Sequence, residues 1–296
     1  MTYVQTVTGR IPAEKMGFTL PHEHIFWDLS FYLPKDLDKT DETDERKQPV
    51  CPENLAQMRY HLTDYPDNVV QQDESIALKE LLWYKQAGGV TICDNGCYGL
   101  KCDPVKLRDV SEKSGVYILR GTGTYQDQTI PPEIAKLDVD ALAALFIKEI
   151  REGIGDTGVR CGFIGEIGIV SSASERSMRS LAAAAIAQKE THAAITIHQP
   201  GLEHCADVLF RVITDNGGDL NKTVMCHCDP FLSEPEYLDH IAKSGAYTSF
   251  DFFGLEAVLG GNYWLPTDLD RIIGIKKQIE CGNVERILLS HDTVYK

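Results

Sequence analysis

The sequence predicts a single (β/α)8 barrel, and three observations support this fold class. Eight short apolar runs recur along the 296 residues, and helix-like stretches separate them. Strands that alternate with helices form parallel sheets, and eight such units close into a barrel of about 250 residues. No low-complexity linker divides the chain, so we expect one domain over residues 1–296.

The predicted strands are, in order, GFTL, GVTIC, VYILRG, CGFIG, AAITI, KTVMC, AYTSF and RILLS. The clearest helices between them are DESIALKELLWYKQAGG, SERSMRSLAAAAIAQKETH and EPEYLDHIAKSG. The first of these helices follows Asp73, a residue type favoured as an N-cap, and it ends on glycines, which commonly terminate helices.

The chain departs from a regular barrel in two places. The segment from about residue 28 to 72 is far longer than an ordinary connection from strand to helix, and it carries the charge run DLDKTDETDER. Because loops that follow barrel strands lie at the catalytic face, we expect this insertion to form a lid or wall there. Only TVYK follows Asp292, so the eighth helix is expected to be missing or truncated.

Composition limits the classes of partner. The formal net charge of −15 argues against nucleic acid and against anionic membranes, which are bound through clustered Lys and Arg. The sequence shows no signal-peptide pattern and no apolar run of about 18 residues. We therefore expect a cytoplasmic protein with a small-molecule substrate, and a homodimer is left open. The nine cysteines are expected to be free thiols.

A histidine pair follows the first predicted strand. In TLPHEHIFWDLS, His22 and His24 are two residues apart, so on a strand their side chains point to the same face. The two imidazoles can therefore reach one metal ion. Taken alone, the pair is equally compatible with two polar residues that happen to lie at a strand end.

Four later strands end in residues that also bind metals, namely Glu166, His198, His227 and Asp292. Barrel enzymes keep their active sites at this end of the strands. Six ligands exceed what one tetrahedral zinc requires, which favours two divalent ions with Glu166 bridging them. His22, His24 and Asp292 would complete the shell of one ion, and His198 and His227 that of the other. Imidazole and carboxylate ligands accept Zn, Mn, Co or Fe.

Two divalent ions about 3.5–4 Å apart lower the pKa of a shared water to roughly 7. With two carboxylates and one hydroxide, such a centre keeps a single net positive charge, which stabilises an oxyanion at a carbonyl or phosphoryl centre. Asp292 can act both as a ligand and as the proton acceptor. The predicted chemistry is hydrolysis by a metal-bridging hydroxide.

These motifs, in this order, resemble the phosphotriesterase family of the amidohydrolase superfamily. The resemblance runs from GRIPAEKMGFTLPHEH through GTGTY, GFIGEIG, THAAITIHQPG and KTVMCHCDP to ERILLSHD. It implies a (β/α)8 hydrolase of phosphotriesters, lactones or related esters with a binuclear centre, usually zinc. The family's metal ligands fall on His22, His24, Glu166, His198, His227 and Asp292.

The sequence departs from the family pattern at informative positions. Glu166 stands where well-known phosphotriesterases and lactonases carry a carboxylated lysine, which resembles the phosphotriesterase homology proteins. Phe252 follows Asp251 in place of the histidine that the family uses to relay protons, although Asp229 matches the second aspartate of that relay. LKCDP replaces the family's Gly-Arg-Asp-Pro, so an arginine is lost. The resemblance therefore implies at most weak phosphotriesterase activity.

The leading interpretation is a binuclear hydrolase of carboxylic esters or lactones, with Asp292 and Asp229 as catalytic residues. Tyr125, Phe252 and Trp264 are expected to line the substrate pocket. Two alternatives use the same residues: a phosphodiester or phosphonate hydrolase, and a metal-binding protein without turnover.

Overall fold

The computed structural model describes residues 2–37, 43–259 and 263–294. Its strands are β1 (Tyr3–Thr6), β2 (Gly9–Pro12), β3 (Thr19–Glu23), β4 (Trp27–Asp28), β5 (Val70–Gln71), β6 (Thr91–Asp94), β7 (Tyr117–Thr122), β8 (Phe163–Gly168), β9 (Ile195–His198), β10 (Thr223–Cys226), β11 (Tyr247–Phe250), β12 (Val258–Leu259), β13 (Tyr263–Trp264) and β14 (Ile287–Leu289). Its α-helices are α1 (Leu55–Tyr60), α2 (Glu74–Gln86), α3 (Pro104–Ser114), α4 (Pro132–Ala135), α5 (Val139–Arg151), α6 (Glu175–Thr191), α7 (Ala206–Asp215), α8 (Pro235–Lys243) and α9 (Asp268–Glu280).

Eight parallel strands form the barrel in the order β3, β6, β7, β8, β9, β10, β11 and β14. Each of them overlaps one of the eight predicted apolar runs, so the predicted (β/α)8 barrel is confirmed. At the seam, the Asp292 amide donates to the His22 carbonyl over 3.3 Å, and the His22 amide donates to Ser290 Oγ over 3.1 Å. These bonds join the ends of β14 and β3 at the side where the predicted metal ligands lie.

The three predicted helices are α2, α6 and α8. Asp73 caps α2 as expected, because its carboxylate accepts hydrogen bonds from the Ser75 and Ile76 amides. Helix α6 packs closely on the barrel since its inner face carries fully buried alanines, among them Ala184 and Ala187, next to Ile164 of β8. This packing supports the strands whose ends carry the predicted site residues.

The insertion after β3 is partly ordered by its own short sheet. Strands β4 and β5 pair antiparallel with Trp27 opposite Gln71, which brings the two ends of the insertion together. Residues 38–42 of the predicted charged run lie outside the described residues. After β14, residues 290–294 contain no regular secondary structure.

Three small antiparallel strand pairs among the described residues were not predicted: β1 with β2, β4 with β5, and β12 with β13. The first lies against the barrel, where the Val7 amide donates to the Ile118 carbonyl over 2.8 Å. Among the described residues, the helices are too short or too polar to cross a membrane.

Candidate active site

The six predicted ligands meet at the C-terminal end of the barrel strands, around Glu166. Glu166 Oε2 lies 3.4 Å from His22 Nε2 and 3.3 Å from His198 Nδ1. Glu166 Oε1 faces the other side and lies 3.2 Å from His24 Nε2. Because the two carboxylate oxygens face different histidines, Glu166 has the geometry of a bridging ligand.

Asp292 and His227 complete the group. Asp292 Oδ1 lies 3.3 Å from His24 Nε2 and 3.7 Å from His22 Nε2. His227 Nε2 lies 2.7 Å from His198 Nδ1 and 3.6 Å from Glu166 Oε2. The ligand atoms of His22, His24 and Asp292 are close enough to share one cation, as are those of His22, Glu166 and His227.

Several of these ligand atoms are buried without a hydrogen bond among the described residues, namely His22 Nε2, Glu166 Oε2 and Asp292 Oδ1. An unsatisfied buried polar atom costs about 1–3 kcal/mol, so three of them around one small space call for a ligand that replaces the missing bonds. Imidazole nitrogens and carboxylate oxygens are donors suited to a divalent transition-metal ion. The residues present therefore fit a metal centre.

The two ligand carboxylates differ in their affinity for protons. Burial disfavours ionisation of Glu166, but the nearby His198 and His22 imidazoles prevail and hold its pKa well below the usual range. Burial raises the pKa of Asp292. Glu166 is thus suited to remain an anionic bridge, whereas Asp292 is the better proton acceptor.

Sequence reasoning missed the role of Asp251. This fully buried carboxylate contacts His22 Nδ1 through Oδ2 at 3.0 Å and His227 Nδ1 through Oδ1 at 2.9 Å. Burial opposes its ionisation, but His227 and His22 hold the pKa of Asp251 below its ordinary value. Its position at the end of the seventh barrel strand was the available signal, since the other site residues follow strand ends in the same way.

Asp251 adds a third buried carboxylate beside the two carboxylates predicted to bind metal. The sequence estimate counted two buried carboxylates, Glu166 and Asp292, whereas the structure places three beside the imidazoles. Two divalent cations and one hydroxide would then be neutralised rather than leave one positive charge.

Asp229 lies one step further from the ligands. Its Oδ1 accepts from Arg271 Nε over 2.6 Å, and its Oδ2 accepts from the Asp251 amide over 3.1 Å. Burial, followed by the Asp251 carboxylate, raises the pKa of Asp229 to about 6 despite Arg271. Asp229 therefore reaches the ligands through Asp251, and its catalytic role stays a prediction.

The predicted substrate residues occupy different positions. Tyr125 is buried with its ring edge-on to His198 at 5.0 Å, and Phe252 stacks on His227 at 4.7 Å. Both therefore border the ligand group. Trp264 is 66% exposed and contacts the ring of Tyr60 in the insertion. Substrate binding by these residues stays a prediction.

Two parts of the insertion lie near the site. Leu62 belongs to a small apolar cluster with Phe252, which stacks on His227. Near His198, Gln126 Nε2 donates to the Tyr32 hydroxyl of the insertion over 2.6 Å and lies 3.5 Å from His198 Nε2. These contacts favour the predicted wall or lid.

Comparison with known proteins gives the family. The model of the phosphotriesterase family matches residues 2–296. The chain belongs to the phosphotriesterase family. The resemblance seen in the sequence is therefore confirmed, and so is the prediction of a hydrolase.

Relatives of this phosphotriesterase-family chain include the N-acetyltaurine hydrolase of Homo sapiens, which is 32% identical over 295 residues and covers 98% of this chain and 83% of the human protein. A solved structure of a resiniferatoxin-binding protein from Rhodobacter sphaeroides matches 99% of this chain and 82% of its own, with 32% identity and a TM-score of 0.94. A mutant lactonase from Deinococcus radiodurans matches 98% of this chain and 82% of its own, with 26% identity and a TM-score of 0.76.

Proposed function

We propose that the protein is a binuclear metal-dependent hydrolase that cleaves carboxylic esters or lactones. The observation that carries this proposal is the convergence of four histidines and Asp292 around Glu166, with several ligand atoms buried and unsatisfied. Two divalent cations, Zn²⁺ or otherwise Mn, Co or Fe, would be held by His22, His24, Glu166, His198, His227 and Asp292.

When bound, the two cations would supply Lewis acidity and lower the pKa of a bound water. Asp292, whose pKa is raised by burial, would take the proton from the attacking water and deliver it to the leaving group. Glu166 would keep its two oxygens on opposite sides of the centre. Phe252 and Tyr125 would give the substrate an apolar wall and exclude bulk water.

The similarity to the Deinococcus lactonase supports a lactone or ester substrate. Weak phosphotriester turnover is expected, because Phe252 occupies the position where the resemblance places a relay histidine and stacks on His227. The proposed partner is accordingly a small molecule.

A second candidate substrate is an N-acyl amide of a small anionic amine. Several relatives at 30–32% identity, from fish to human, bear the name N-acetyltaurine hydrolase. Amide and ester hydrolysis share attack by water on a carbonyl carbon, so the same centre can serve both. Amide cleavage additionally requires a proton for the leaving amine, which Asp292 can deliver.

A substrate panel tests the proposal. Purified protein loaded with Zn²⁺, Mn²⁺ or Co²⁺ is assayed with lactones, aryl esters, N-acetylated aminosulfonates, phosphodiesters, phosphonates and phosphotriesters. We expect turnover of a carbonyl substrate to exceed that of every phosphorus substrate, to disappear on chelation and to return with metal. Turnover that survives removal of both ions would contradict the proposal. Preference for a phosphodiester or phosphonate would assign the other hydrolase, and binding of both ions without any turnover would indicate a metal-binding protein.

A further inference from the structure

Asp251 is unusual because both of its oxygens are committed to the metal-binding histidines. Oδ1 accepts from the His227 amide over 2.9 Å and lies 2.9 Å from His227 Nδ1. Oδ2 lies 3.0 Å from His22 Nδ1. One carboxylate thus contacts a histidine from each of the two proposed ion sites.

The surroundings fix Asp251 in this position. Its amide donates to Asp229 Oδ2, and Asp229 in turn accepts from Arg271, whose side chain is fully buried in α9. Asp251 also stabilises a strained backbone, because His227 has a φ of 58° and its amide is bonded to Oδ1. Left-handed backbone is unfavourable for a β-substituted residue and persists where surrounding contacts support it.

We propose that Asp251 is a positioning residue shared by both ion sites, and that it fixes the proton of His22 and of His227 on Nδ1. With the proton there, the lone pair of each imidazole lies on Nε2, which faces Glu166 in both cases. A carboxylate that orients a metal-binding histidine in this way commonly changes metal affinity by about 10–100-fold when it is removed. This inference rests on the metal centre proposed above.

Asp251→Asn gives an asymmetric test, since an amide has one acceptor oxygen and one donor group. The amide oxygen should face His227, because the backbone amide and Nδ1–H of that residue both require an acceptor. The NH₂ group would then face His22 Nδ1, so His22 must move its proton to Nε2 and lose the lone pair that binds metal. We expect the ion of His22, His24 and Asp292 to bind about 10–100-fold more weakly, and the other ion to bind as in the parent.

The assay is a titration of metal-free protein with Zn²⁺, followed by calorimetry and by competition with a chromophoric chelator. The parent should bind two ions per chain tightly. Asp251→Asn should bind one ion tightly and the other weakly, and Asp251→Ala should bind both ions weakly. Glu149→Gln is the matched control: Glu149 is a buried carboxylate that accepts from the Tyr98 and Thr122 hydroxyls, outside the ligand group. It should bind two ions with parental affinity.

A measurement on the parent protein avoids dependence on folding of the variants. Long-range ¹H–¹⁵N spectra of the zinc-loaded protein should show His22 and His227 protonated at Nδ1 and coordinated through Nε2. Coordination of either histidine through Nδ1 would overturn the inference, as would two ions bound with parental affinity by Asp251→Asn. Loss of both ions from Asp251→Asn would contradict the assigned role of each oxygen. If the parent itself binds no ions, the proposed function fails as well, so the two failures are distinguishable.

Discussion

The buried pair of Arg271 and Asp229 should be essential for stability, so Arg271→Met is expected to destabilise the fold strongly. Both side chains are inaccessible to solvent, and the Nε–Oδ1 distance is 2.6 Å. Removing one partner of a buried ion pair typically costs about 3–5 kcal/mol, because the remaining charge is left uncompensated. Arg271 also donates to the Leu255 carbonyl and to Asp268, so the upper part of this range is expected.

The loss of stability in Arg271→Met should become smaller as the pH falls. The folded-state pKa of Asp229 is about 6, above the ordinary value of about 3.9, and it should rise further without Arg271. The folded variant then binds this proton more tightly than the unfolded chain, so its stability increases as pH falls through the folded-state pKa. We therefore expect Arg271→Met to lose less unfolding free energy, relative to the parent, at about pH 5.5 than at about pH 8. The double variant Arg271→Met/Asp229→Asn should regain part of the lost stability.

Urea unfolding followed by circular dichroism measures these free energies, provided that the denaturant dependence stays unchanged. Arg211→Met is the control, since Arg211 is exposed on α7, and its effect should stay within about 0.5 kcal/mol. A loss below about 1 kcal/mol for Arg271→Met at pH 8, or a loss that does not shrink at acidic pH, would refute the reasoning.

Three further outcomes are expected. Asp292→Asn should lower turnover by roughly 10²–10⁴-fold with most of the metal retained, because an amide cannot take up the water's proton. Turnover close to that of the parent would rule out Asp292 as the proton acceptor. The metal-free parent protein should regain full activity when metal alone is added, and bicarbonate should make no difference. The Glu166→Gln variant should bind at least one ion more weakly than the parent. A requirement for bicarbonate, or two ions bound by the variant with parental affinity, would show that Glu166 is not the bridge. Replacing residues 35–47 with a short Gly-Ser linker should change substrate selectivity at unchanged metal content, and loss of metal or unfolding would instead indicate a structural role for the insertion.

The barrel, and the convergence of six candidate ligands at its mouth, could be predicted from the sequence because both follow from local patterns. Short apolar runs mark the strands, and a histidine or carboxylate that directly follows such a run must lie at the mouth of the barrel. The β1–β2 hairpin was missed because its strands have only four residues each and most of those residues are only partly buried.

The buried contacts that hold the candidate ligands in position, made by Asp251, Asp229 and Arg271, could not be predicted in the same way. Arg271 lies in a helix with charged neighbours, where a solvent-exposed side chain is the ordinary expectation. Its burial depends on Asp229, which is 42 residues away in the chain, and no periodic pattern connects them. The shared role of Asp251 likewise follows only from the distances to His22 and His227, which a one-dimensional pattern does not contain.

The metal content of the purified protein, measured together with its activity, tests the central claim most directly. Elemental analysis is made on the protein as purified, after chelation and after reconstitution, and hydrolysis of the best carbonyl substrate is followed at each stage. We expect two divalent ions per chain, loss of activity with loss of the ions, and recovery of both on reconstitution. Hydrolysis that continues in protein shown to contain no metal would contradict the account, as would a chain that never holds more than one ion.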